Sequence, residues 1–104
     1  MLHLNRIKEE HIMVIKKLAS PEIEIHPDAA LFVIGIVSEL TGMPIWTLRR
    51  LDDMGLVSPK RINKKIRCYS HKQINKIVYI QYLMQEKSVN MSGIKVILEI
   101  EKGK

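Results

Sequence analysis

Nine basic side chains crowd the 28 positions from Arg49 to Lys76: Arg49, Arg50, Lys60, Arg61, Lys64, Lys65, Arg67, Lys72 and Lys76. Only two acids, Asp52 and Asp53, stand among them, so the stretch carries a net charge of +7. The whole chain of 104 residues carries +6, which leaves −1 for the other 76. Clustered like charges repel one another, so such a concentration needs a compensating partner. A phosphate backbone supplies one, because each contact releases a condensed counterion. An anionic membrane surface is the other polyanion that a small basic domain suggests. The planar fork of Arg49 or Arg50 suits two-point binding of guanine or phosphate.

Other chemistry has less to stand on. His3, His11, His26, His71 and Cys68 are scattered, and only Cys68 and His71 fall near each other, so no metal site is expected. There is no glycine-rich phosphate loop, nucleophile elbow or HExxH helix, and no catalytic residue or cofactor is assigned. Asp52 and Asp53 are expected to bond nearby arginines. A single cysteine excludes an intramolecular disulfide. The N-terminal MLHLNRIKEEHIMV mixes charge into every turn, unlike a signal peptide, and no apolar run reaches membrane-spanning length. The expectation is a cytoplasmic protein.

These residues need elements to hold them. Residues 3–19 place Leu4, Ile7, His11, Val14, Ile15 and Leu18 on one helical face, and Ser20-Pro21 stops that helix. The following SPEIEIHPDAA, with Pro27 inside it, reads as a linker or short extended piece. GIVSELT over 35–41 makes a short helix expected to bury Ile36, Val37 and Leu40, and Gly42 turns the chain. Pro44 stands at or just before a second helix, IWTLRRLDDM, which Gly55 ends. Two short helices around a tight glycine turn are a helix-turn-helix pattern. Leu48 and Leu51 suit its interior, leaving Trp46, Thr47, Arg49 and Arg50 on and around the exposed face. In KRINKKIRCYS, the β-favouring Ile62, Ile66 and Tyr69 flank Asn63-Lys64-Lys65 as a basic hairpin. Ser70 and Gln73 form a capping box for a third helix to about Glu86, with Ile74, Ile77, Val78 and Gln81 on one face. Asn90 or Ser92 caps a last helix that sets Ile94, Ile97 and Leu98 on one side.

Residues 32–98 resemble the MerR family of regulators. The resemblance runs through Ile34-Gly35, Leu40-Thr41-Gly42, Thr47-Leu48-Arg49, Gly55-Leu56-Val57 with Pro59 and Arg61, and Arg67-x-Tyr69-Ser70. The ending VNMSGIKVIL is similar to the heat-shock repressor and glutamine-synthetase repressor branches. The resemblance implies a mainly α, winged helix-turn-helix fold with a short β-hairpin wing, preceded here by an extra N-terminal helix. It divides the chain into residues 1–30, a helix and linker, and residues 31–104, the DNA-binding domain. It also implies that Thr47 and Arg49 contact the major groove and that Arg61, Arg67 and Tyr69 grip flanking phosphates. Lys60, Lys64 and Lys65 extend that grip along the wing.

The chain departs from the family at several points. Leu51 and Asp52 stand where tyrosine and glutamate are usual, and Arg50 is expected to replace the lost tyrosine contact. Lys64-Lys65 replaces the common wing-tip glycine, with Asn63 expected to supply the left-handed turn residue. Relatives usually continue into a long dimerisation helix, which this sequence does not show: either the sequence is a truncated piece or the interface is rebuilt, and helix 3–19 is expected either to supply that interface or to fold back on its own subunit or trail as a mobile tail.

The expected function is sequence-specific binding of double-stranded DNA by a homodimer that regulates transcription, with a regulatory protein as a further partner. One alternative is a protein-interaction or excisionase-like accessory module that keeps the fold. Membrane-surface binding is weaker, because an interfacial helix needs exposed bulky apolar residues beside its lysines.

Overall fold

The structure, a computed structural model, describes residues 26–103. The expected helix 3–19, with most of the linker after it, lies outside the described residues. Seven elements follow in order: β1 (Ala30–Val33), α1 (Ile34–Thr41), α2 (Ile45–Asp53), β2 (Lys60–Ile62), β3 (Ile66–Ser70), α3 (His71–Glu86) and α4 (Met91–Lys102). The architecture is mainly helical with one small antiparallel sheet, as the sequence led us to expect.

The helix-turn-helix turn is built from its own side chains. Gly42 takes the left-handed conformation at φ 75° and its N–H donates to Ser38 O, closing α1. The Thr41 hydroxyl donates to Val37 O at 2.8 Å and accepts from Met43 N–H at 3.2 Å. The Ser38 hydroxyl donates to Met43 O at 2.8 Å. Pro44 then occupies the N-cap of α2 with φ already at −59°. A second left-handed glycine, Gly55 at φ 72°, reverses the chain after α2, and Leu56 and Val57 N–H both donate back to Leu51 O.

The sheet holds more than the hairpin. Its order is β1-β3-β2, with β3 in the middle. Phe32 pairs with Tyr69 and Val33 with Cys68 on one side, while Arg61 pairs with Arg67 and Ile62 with Ile66 on the other. The strand β1 was not anticipated, because its apolar residues Leu31-Phe32-Val33 show no local sign of a partner that lies some forty positions later.

Val37 and Leu40 of α1, Leu48 and Leu51 of α2, Ile74 and Ile77 of α3 and Ile94 of α4 meet in one core. Fully burying each such side chain stabilises the fold by roughly 1.5–3 kcal/mol. Ile36 corrects the expectation for α1: it is 49% exposed, because the short helix turns only the Val37 and Leu40 side inward. Gln81 is buried on α3 and donates through Nε2 to Thr41 O at 2.8 Å, fastening the long helix to the turn of the helix-turn-helix. The capping box holds as expected: Gln73 N–H donates to Ser70 Oγ, and Ser70 N–H donates to Gln73 Oε1, each at 3.0 Å. Asn90, not Ser92, caps α4. Among the described residues no helix is long and apolar enough to cross a membrane.

Candidate nucleic-acid interface

The amphipathic helix α2 sorts its residues sharply. Leu48 and Leu51 are buried, and Trp46, Arg49 and Arg50 are exposed on the outside. Thr47 corrects the expectation that it stands on the exposed face. It is only 4% exposed, because position 47 falls beside Leu48 and Leu51 on the inward arc of the helix. Its side chain therefore lies mostly against the protein, at the inner edge of the face that carries Trp46, Arg49 and Arg50.

Beyond Gly55 the chain returns as the β2–β3 hairpin. Lys60, Arg61, Lys64 and Lys65 are all exposed. Asn63 and Lys64 take left-handed φ values of 52° and 62°, and Lys65 N–H donates to Ile62 O at 3.1 Å. Two successive positive φ values mark a turn of the kind whose twist matches paired strands. Asn63 was expected there; Lys64 is the less usual occupant.

The two basic elements are tied together by one acid. Asp52 Oδ2, in the last turn of α2, accepts from Arg67 Nε at 2.8 Å and from Arg61 Nη2 at 3.0 Å. Asp52 and Arg67 are mostly shielded, at 14% and 16% side-chain exposure, while Arg61 keeps 40%. Arg67 is thus chiefly a brace between wing and helix, and Arg61 retains an open side. Among the described residues these are the ion pairs of the basic segment, and Asp53, which was expected to bond an arginine as well, does not share in them.

Tyr69 also corrects its expectation. Its side chain is fully buried in β3, and its hydroxyl is the one buried side-chain polar atom without a hydrogen-bond partner among the described residues. Burial, reinforced by the Asp52 carboxylate, pushes its pKa up to about 12. A ring packed behind the wing base cannot meet a phosphate without moving. Its partner in sequence, Cys68, is buried as well, consistent with a small apolar strand residue. Among the described residues no group of three or more His, Cys, Asp or Glu is placed to hold a metal ion.

The exposed basic residues Arg49, Arg50, Lys60, Arg61, Lys64 and Lys65 therefore lie on one helix and on the hairpin braced to it. Sequence reasoning named Arg67 as a contact and missed its bracing role. The signal available was the lone Asp52 amid arginines, but nothing local said which ones it would hold.

Residues 32–100 match the model of the MerR HTH family of regulatory proteins. The chain is 38% identical over 78 residues to the heat shock protein HspR of Streptomyces coelicolor, covering 75% of this chain and 52% of that one. It is 37% identical over 70 residues to the HTH-type transcriptional regulator GlnR of Bacillus anthracis and of Bacillus cereus, covering 67% of this chain and 54% of each relative. The chain thus spans about half the length of the relatives it matches. With the matched segment running from β1 into α4, the chain belongs to the MerR HTH family of regulatory proteins.

Proposed function

We propose that this protein binds double-stranded DNA sequence-specifically and regulates transcription in the cytoplasm. The observation that carries the reading is the brace at Asp52, which holds a basic helix and a basic hairpin as one unit. A helix of that size fits the major groove, and a hairpin beside it is placed to follow the flanking backbone. Arg49 and Arg50 are the base or phosphate contacts on α2. Lys60, Arg61, Lys64 and Lys65 grip the backbone. Thr47, Arg67 and Tyr69 position these groups from behind.

The proposal includes a homodimer on an inverted repeat. Val96 and Ile100, four residues apart on α4, are both exposed and offer an apolar face for pairing. Helix 3–19 is proposed to complete that interface. A regulatory protein partner would act on the same dimer. Deleting residues 1–20 and comparing solution mass with the full chain tests the dimer: equal states in both would remove helix 3–19 from the interface.

The binding itself is tested by titrating the protein against duplex DNA at several salt concentrations. Affinity should fall steeply as salt rises, because each neutralised phosphate contributes a slope near −0.9 in log K against log salt. No detectable affinity at low salt would sink the reading.

A further inference from the structure

Among the described residues, the side chain that fits least with an ordinary water-exposed surface is Trp46. It is the protein's one tryptophan, it lies in the first turn of α2, and it is 69% exposed. It stands three residues before Arg49 and four before Arg50, so all three share one outer face. Its neighbour Ile45 is also exposed and widens the apolar edge. A large ring held in water beside two arginines forgoes the stabilisation that burial would bring.

This inference rests on the DNA-binding reading and names what the helix recognises. We propose that Trp46 is a specificity-determining residue that packs against the 5-methyl group of a thymine in the major groove. The N-terminal residues of a recognition helix are the ones brought to base edges. The indole carries one N–H donor and no acceptor, so it cannot read a base by paired hydrogen bonds as arginine does. Its large apolar surface matches the one apolar group that the major groove displays, the thymine methyl. Helical neighbours three or four apart are separated by about 5–6 Å, and successive base pairs by about 3.4 Å. The thymine should therefore lie one or two base pairs from the base or phosphate met by Arg49 or Arg50.

The experiment begins by selecting duplexes from a randomised library with the full-length chain and with Trp46→Ala. Each thymine of the selected site is then replaced, one at a time, by deoxyuridine, which removes the methyl and keeps every hydrogen-bonding group. For the unmodified protein, one thymine per half-site should cost about three- to five-fold in affinity on losing its methyl. Trp46→Ala should bind the thymine and deoxyuridine duplexes equally, and its selected sites should lose that thymine while keeping the rest of the pattern. Trp46→Phe should retain part of the discrimination. Because the residue is exposed, both variants should melt at the temperature of the unmodified protein, which circular dichroism checks.

A methyl effect of equal size in the unmodified protein and Trp46→Ala would overturn the assignment, as would no methyl effect at any position. In either case the exposed ring would serve a protein contact or the sugar-phosphate backbone. Should the unmodified protein enrich no duplex at all, the DNA-binding reading falls and this inference with it. Binding without methyl sensitivity removes only the role of Trp46.

Discussion

Asp52 Oδ2 lies 2.8 Å from Arg67 Nε, joining the last turn of the second helix to the central strand of the sheet. Arg67 pairs across the hairpin with Arg61, which donates to the same oxygen at 3.0 Å. One carboxylate thus ties the end of the helix to both strands of the wing. Asp52→Ala should destabilise the fold by about 1–2 kcal/mol, since it removes charged hydrogen bonds in a largely shielded place. A drop in thermal midpoint of several degrees is expected. A double-mutant cycle with Arg67→Gln should show coupling; additive effects would mean the brace carries no energy.

Reading and gripping should separate by mutation. Arg49→Ala should weaken binding to a selected duplex more than to random duplex, by about 1–3 kcal/mol if it meets a base. Lys64→Ala combined with Lys65→Ala should weaken both about equally and make the salt dependence shallower. Parallel titrations of the two duplexes measure this. An equal loss for Arg49→Ala would reassign it to the backbone.

The buried Tyr69 hydroxyl gives a pH prediction. Its folded pKa of about 12 lies above the ordinary value of 10. The unfolded chain therefore releases this proton first, so the contribution is intact below pH 10 and is lost as pH rises from 10 through 12. The loss should be on the order of 2 kcal/mol. Tyr69→Phe should flatten that fall. At neutral pH it should hold or raise stability, because it removes a buried hydroxyl that has no partner. Chemical denaturation across this pH range decides it.

At the wing tip, Lys64 is an L-residue at φ 62°. Glycine adopts that conformation freely, so Lys64→Gly should gain roughly 1 kcal/mol of stability. The same change removes a charge and should lower DNA affinity. Opposite signs in melting and binding are the outcome that supports both halves of the argument.

Gln81→Leu should cost about 1–3 kcal/mol, because it strands the Thr41 carbonyl in a buried place. If the variant melts with the unmodified protein, that hydrogen bond does not hold the helix-turn-helix to the third helix.

What was legible in the sequence was what depends on near neighbours. The capping box of Ser70 and Gln73, the left-handed Gly42 and Gly55, Pro44 at a helix start, and the inward Leu48 and Leu51 all follow from spacings of a few residues. The concentration of charge in residues 49–76 was equally plain, and with it the class of partner now proposed. Tertiary structure decided the rest, because the deciding partners are remote in the chain. Leu31, Phe32 and Val33 became a strand only because the central strand, residues 66–70, folded back beside them. Arg67 became a brace, and Tyr69 a core residue, only once the sheet and the second helix had met. Ile36 faces solvent and Thr47 does not, although both lie on amphipathic helices. Helical periodicity says which residues share a face, but the packing of the other elements chooses how wide a face is covered.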